Sequence, residues 1–222
     1  MSTRLGTPGD PADPAADDYA FELDGGNVAL DFANTVSRRK AVGDTRDNLD
    51  RYGRLVSWGQ AAGLLDPRDA ASLRAKAREH PRAAVAALRR AVSVREAIFS
   101  TFSAIAGGRE APAEAVATLS ASLPEALARP RIVHDGPAFA LRFQHDEEDL
   151  AGAVIPPVVR GALDLLTSDA KDRVRECHST TCAWLFLDRS KNGSRRWCDM
   201  KVCGNRAKAR RHYAKGKGTP ER

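Results

Sequence analysis

Over most of the chain the apolar positions recur every three or four residues, the spacing of amphipathic helices. Asn27 can cap a helix that starts at Val28, with Val28, Phe32 and Val36 four apart on one side. A second helix is predicted within 48–65, with Leu55, Trp58, Ala62 and Leu65 inward. Asp66 then caps a third, with Pro67 at its first position, and His80-Pro81 interrupts it. The longest helix is predicted from about Arg82 to Ala106, with Val85, Leu88, Val92, Phe99 and Phe102 inward and Gly107-Gly108 as its stop. Another begins near Pro112, carries Val116, Leu119 and Leu123, and is expected to kink or end at Pro124. Helical spacing returns from about Glu147 to Leu166, with a break expected at Pro156-Pro157.

Two stretches change period. "FELDGG" (21–26) alternates apolar and polar and ends in two glycines, which predicts a short strand and a turn. "RIVHDGPAFALRFQ" (131–144) places two apolar runs around Asp135-Gly136, a hairpin signal. An isolated hairpin is marginal, so the strand near Phe21 is expected to pair with it. The fold class read from this pattern is α+β, mainly α. A helical domain with a small antiparallel sheet spans 19–170, and a different composition begins around Ser168–Arg175. Residues 1–18 are rich in Pro, Ala and Asp and read as a disordered tail, and 217–222 as a basic disordered tail.

Charge sharpens that boundary. Residues 171–222 hold 15 Lys/Arg against 5 Asp/Glu, a net of +10, while the remaining 170 residues carry a net of −4. An acidic body with a basic C-terminal quarter points to a polyanionic partner. No apolar run approaches the ~18 residues that a membrane span needs. The N-terminal stretch lacks a signal-type apolar core, so the expected address is the cytoplasm, and the Ala/Arg-rich style suggests a bacterial source.

All four cysteines lie in the basic quarter: Cys177, Cys182, Cys198 and Cys203. The spacing C-x4-C-x15-C-x4-C gives two close pairs around one supersecondary unit, the pattern of a four-thiolate structural zinc site. Four thiolates close a tetrahedron and leave no position for a catalytic water. His178 and His212 are the alternative ligands, otherwise surface histidines. The spacer "AWLFLD" is β-prone, and Asn192-Gly193 in "RSKNGS" predicts a hairpin returning to "RRWC". Cys203 then falls in or near the first turn of a helix running to about Lys215. A cysteine turn, a hairpin and a cysteine pair at a helix start make a treble-clef-like finger over 171–216, where one Zn2+ substitutes for a core.

The residues Cys203-Gly204-Asn205-Arg206 spell CGNR, and "WLFLDRSKNGSRRWCDMKVCGNRAKARRHY" closely resembles the CGNR zinc-finger family. "ALDFANT" (29–35), the Trp58 helix and "AAGLLD" (61–66) resemble the ABATE domain, that finger's usual partner, whose name points to stress-induced transcription regulation. The first knuckle departs from the family's pattern: "HSTT" (178–181) stands where an Asn-Pro turn is expected. The resemblance implies DNA binding by the finger, with the helical domain sensing an effector or dimerising.

The basic residues are candidates for that contact. On the last helix they are Asn205, Arg206, Lys208, Arg210, Arg211 and Lys215; around the finger's turn, Arg189, Lys191, Arg195 and Arg196. Val202, Ala209 and Tyr213 form the seam expected to pack on the finger. Asn205 could read bases or satisfy backbone beside the metal. Arg206 could contact nucleic acid, or pack on Trp184 or Trp197, or pair with Asp188. In the body, Asp31, Asn34, Thr35 and Arg38 could line an effector pocket, or cap and cross-link helices. There is no G-x-S-x-G, P-loop or H-E-x-x-H, so the chain is read as a non-enzyme. The expected function is a transcription regulator bound to DNA, palindromic if the protein is a homodimer. An RNA-binding accessory factor or a protein-interaction module are the competing readings.

Overall fold

The computed structural model describes residues 19–128, 130–143 and 149–216. The two tails expected at 1–18 and 217–222 lie outside the described residues. Among the described residues seven α-helices carry the body and the finger: α1 (Val28–Ala33), α2 (Tyr52–Ala61), α3 (Pro67–Glu79), α4 (Pro81–Ala106), α5 (Ala113–Leu127), α6 (Ile155–Leu166) and α7 (Asn205–Gly216). Among the described residues no helix is long and apolar enough to cross a membrane.

Local chemistry sets the helix ends. Asn27 Oδ1 accepts from the Ala29 N–H, and Asp66 Oδ1 accepts from the Arg68 and Asp69 N–H groups at the start of α3. Pro67 and Pro81 each open a helix, so His80 ends one helix and begins the next. Pro156 and Pro157 sit in the first turn of α6 and start that helix, where the sequence predicts a break. There Pro156 and Pro157 withhold only N–H groups that no preceding turn would have accepted. Pro124 neither ends nor interrupts α5, because it lies in the last turn and costs a single backbone bond.

α4 is the axis of the body and touches α1, α2, α3, α5 and α6. Its inward stripe is Ala84, Ala87, Ala91, Val94, Ile98 and Phe102. Val85, expected inward, is 49% exposed. Alanines at 84, 87 and 91 let the neighbouring helices approach closely in the first half of α4, and the stripe there turns away from Val85. Phe32 and Trp58 meet at 4.6 Å in the centre of this core.

The strands among the described residues form three separate antiparallel pairs. β1 (Val36–Ser37) pairs with β2 (Arg46–Asp47), and β3 (Pro130–Asp135) with β4 (Ala138–Phe143) around Gly136 at φ +59°. β5 (Val174–Glu176) pairs with β6 (Leu185–Leu187). The expected strand near Phe21 is not formed, and that segment does not join the hairpin. Its backbone is engaged elsewhere: the Gly25 N–H donates to Asp31 Oδ1 at 2.7 Å, and the Gly25 carbonyl accepts from the Leu187 N–H at 2.8 Å. A Cβ at Gly25 would lie 2.9 Å from the Asp31 backbone nitrogen, so only glycine permits this crossing.

Asp31 sits under that crossing, and burial pushes its carboxyl up to about 6, against the Gly25 hydrogen bond, which lowers it. A raised folded pKa means stability that is complete below pH ~4 and lost as pH rises to ~6. Asp31→Asn keeps the acceptor and removes the charge. It is expected to stabilise the chain by about 2–3 kcal/mol at pH 7.5, with the gain vanishing near pH 4. Urea midpoints of both proteins across that range check it, and a gain that is constant with pH would contradict it.

Candidate metal centre and nucleic-acid interface

The finger is built on the β5–β6 pair, and this differs from the predicted arrangement. The hairpin expected between "AWLFLD" and "RRWC" does not form. Gly193 does make its turn, at φ +60°, but β6 pairs backward with β5, enclosing the first cysteine pair. Both partners are held from the body side: Val174 and Leu185 lie in the main core. The 188–195 loop is closed instead by Asp188, fully buried, which accepts from the Ser190 and Arg195 N–H groups at 2.9 Å each. Its D-x-S pattern is an Asx-turn signal that sequence reasoning passed over.

Cys177 leaves β5 and its N–H donates to the Trp184 carbonyl; Ala183 bends the knuckle through φ +76°. Cys198 precedes and Cys203 lies within a π-helical turn, Met200–Gly204, that runs straight into α7. Asp199 caps this turn by accepting from the Val202 N–H at 2.6 Å. Met200 folds over Gly204, where a Cβ would lie 2.4 Å from its sulfur. The glycine of the CGNR run is thus the position over which a side chain closes.

The four sulfurs lie within 4.8 Å of one another, with Cys182–Cys198 and Cys198–Cys203 both at 3.7 Å. A zinc ion with bonds of about 2.3 Å to four thiolates needs sulfur–sulfur edges of about 3.8 Å. The cage therefore has the size and donor set for one zinc ion, closed and structural. Hydrogen bonds from Cys182 and Cys198 hold the Cys177 thiol well below the usual range. The same contacts with Cys177 push Cys182 and Cys198 up, and burial raises Cys203. Four sulfurs this close cannot all ionise against one another, and a divalent cation is what lets them do so together. His178 is not part of the cluster; His212 lies on α7, and its side chain is outside the described residues.

The basic residues divide into engaged and free. Arg189 donates to the Gly26 carbonyl at 2.8 Å and so holds finger to body. Arg195 lies over the Phe186 ring at 4.5 Å and donates to the Trp197 carbonyl. Arg196 sits 5.7 Å from the Trp197 ring and contacts His178 Nδ1, while remaining exposed. Lys191 is exposed at the turn. On the helical side, Lys201, Asn205, Arg206, Lys208 and Arg210 are all exposed, and Arg210 is anchored on Thr180 Oγ1. Arg206 pairs with neither Asp188 nor a tryptophan. The side chains of Arg211 and Lys215 lie outside the described residues. The expected seam is not packed: Val202 is 40% and Tyr213 73% exposed, and Ala209 is exposed too. α7 thus projects from the π turn with almost every described side chain in solvent.

Of the four body residues singled out for a pocket, Asp31, Asn34 and Thr35 line one cavity of only about 10 Å3, with Arg38 outside it. Asn34 makes a two-way bridge to Leu185: Nδ2 donates to its carbonyl and Oδ1 accepts from its N–H, both at 2.8 Å. Asp31 binds Gly25 as described, and Thr35 Oγ1 donates to the Phe32 carbonyl at 2.8 Å. Arg38 faces away from these bonds, in an ion pair with Asp44 at 2.6 Å. Residues that sequence reasoning missed complete the union of body and finger. Trp184 Nε1 donates to the Val36 carbonyl at 3.0 Å, and Lys40 bridges Glu176 at 2.6 Å and the Cys177 carbonyl at 3.3 Å.

Two family models match in succession. Residues 26–169 match ABATE, described as "Putative stress-induced transcription regulator", and residues 173–216 match the CGNR zinc finger. No curated protein matches the chain. The first model covers more than half of the chain, and the second falls on the four-cysteine cage; the chain belongs to the ABATE family and carries a CGNR zinc finger behind that domain.

Proposed function

We propose that the protein is a zinc-dependent DNA-binding transcription regulator of the bacterial cytoplasm that acts by binding and not by catalysis. The observation that carries this reading is α7: a short helix rooted in the metal cage, with Arg206, Lys208 and Arg210 exposed beside Lys201 and Asn205. A helix of about 12 residues is marginal alone in water, and none of the described side chains of this one is buried, so its order serves the display of charge. It is narrow enough to enter a major groove or lie along phosphates. The acidic ABATE body is then the part that senses an effector or pairs with a second copy.

The test is duplex binding measured against salt. Each lost phosphate contact lowers the slope of log K against log salt by about 0.9. Arg206→Ala with Lys208→Ala, both exposed and without a hydrogen bond or ion pair among the described residues, is expected to lower the slope by about 2 and weaken binding at low salt. A structured RNA bound far more tightly than duplex at equal salt would replace DNA by RNA in this reading. No binding of either at low salt would leave the finger as a protein-docking module.

A further inference from the structure

The β3–β4 hairpin stands apart from the rest of the body. Its two strands pair with each other, and no backbone hydrogen bond joins them to another described segment. β4 leans on α6, whereas β3 makes its principal contacts with β4 alone, so the outer edge of β3 is open among the described residues. The two-residue loop makes Asp135 and Ala138 a hydrogen-bonded pair, and such pairs alternate with non-bonded ones along the ladder. The backbone N–H and carbonyl groups of Ile132 and His134 therefore point outward, away from β4. On one face of the hairpin Ile132 is 74% and Phe139 68% exposed, and the His134 and Phe139 rings lie 4.7 Å apart. A two-stranded ribbon with an exposed apolar face is marginal in water, and an unblocked edge invites another strand.

We propose that β3 pairs with β3 of a second copy of this chain, antiparallel about Val133, to form a four-stranded sheet across a two-fold axis. The charge order of the strand selects both the partner and the register. Arg131 and Asp135 stand two residues either side of Val133, at positions on the same face. Pairing centred on Val133 sets position 131 opposite position 135 of the second copy, and the two-fold repeats that contact with the chains exchanged. Centred on Ile132 or on His134, no opposite charges within the strand meet. The backbone agrees with the charges: in this register Ile132 and His134 of the second copy exchange both hydrogen bonds, through the groups that point outward. On the exposed face each row then runs Phe139, His134, Ile132 of the second copy, and the flanks of these side chains leave water. No foreign strand is needed, because Arg-Ile-Val-His-Asp is complementary in charge to its own reverse.

The inference rests on one part of the role proposed for the body, pairing with a second copy, and names the surface that does it. It is independent of what α7 binds.

The test is sedimentation equilibrium of the zinc-loaded full chain. A monomer–dimer equilibrium is expected at concentrations of about 1–100 µM, in keeping with an interface at the small end of the usual range. Arg131→Asp and Asp135→Arg are each expected to weaken the dimer by about tenfold or more, since each reversal sets like charges opposite one another twice. The double variant Arg131→Asp/Asp135→Arg reverses the order and is expected to recover the wild-type affinity. Positions 131 and 135 are about 13 Å apart along an extended strand, so no contact within one chain produces that recovery. In a second measurement, Val133→Cys lies at the two-fold axis, where paired Cα atoms are about 4.5 Å apart. It is expected to give a covalent dimer under mild oxidation that the zinc-loaded wild type does not form. A chain that stays monomeric up to about 500 µM overturns the proposal. So does a dimer that keeps its affinity in both single variants, or one that the double variant fails to restore. A dimer that binds no duplex removes the nucleic-acid reading and leaves the interface standing; a monomer that binds duplex does the reverse.

Discussion

Removing the metal, by chelation or by Cys198→Ser, is expected to melt α7 and the finger while the helical body stays folded. The reason is the size of the finger's own core. It consists of three buried cysteines and Phe186, with Cys182, Trp184 and Trp197 packed at its edge. Once the sulfurs no longer share an ion, one aromatic ring is all that remains wholly buried there. Structural zinc in fingers of this size contributes about 10–16 kcal/mol of apparent binding free energy at neutral pH, far more than such a core can replace. The body loses little, because its core, which runs from Ala29 to Leu185, contains none of the cysteines. Far-UV circular dichroism should lose roughly one helix, and the environment of Trp184 and Trp197 should change while the core around Trp58 does not. Duplex affinity should disappear in step with metal content. A protein with less than about one-tenth of a zinc per chain that keeps α7 ordered and binds duplex as before would sink the zinc role.

How much of this was legible in the sequence depends on the range of the interaction that decides each feature. Helix limits were readable because they are local: Asn27, Asp66 and Pro67 act within three residues of themselves. The metal cage was readable because four cysteines in a fixed spacing admit few alternatives. The β3–β4 hairpin was readable from Asp135-Gly136, but the pairing of β6 was not. β6 is only three residues long, and its choice of β5 over the returning "RRWC" segment is made by burial of Val174 and Leu185 in the body core, a contact between parts distant in sequence. The Phe21 segment failed for a related reason. Its alternation is real, but the Gly25 backbone is claimed by Asp31 and Leu187 before a sheet can use it. On α4 the predicted Leu88, Phe99 and Phe102 do face the core, while Val85 falls outside it, because the alanines let the neighbours close in beside it. In the site itself, charge located the basic helix but could not separate cations that brace the finger, such as Arg195, from those left free, such as Lys208.

Asn34→Ala is expected to loosen the zinc centre even though Asn34 touches no cysteine. The side chain is 3% exposed and satisfies both backbone groups of Leu185, at 2.8 Å each. Alanine leaves a buried N–H and a buried carbonyl without partners, at about 1–3 kcal/mol apiece, so the loss is about 2–6 kcal/mol. Asn34→Asp does no better, because it turns the donor facing the Leu185 carbonyl into a second acceptor. The loss falls on the joint between the two parts. Leu185 is the first residue of β6; Trp184, just before it, is bonded to Val36 and accepts from the Cys177 N–H, and Cys182 lies two residues further back. A strand that slips at Leu185 therefore releases the first knuckle. Zinc transfer to a chromogenic chelator should accelerate by about tenfold or more, which is what roughly 1.4 kcal/mol of lost restraint would produce. Asn48→Ala removes a bond of similar length, to Ser37 Oγ at 2.9 Å within the β1–β2 strap, and is the matched control with little expected effect on zinc release. Equal release rates in wild type and Asn34→Ala, with the urea midpoint lowered, would mean that the finger holds its metal independently of the body. The two parts would then be tethered modules, and no ligand bound by the body could reach α7 through this joint. Faster release makes Asn34 the coupling residue, with the ABATE body setting how firmly the finger displays its basic helix.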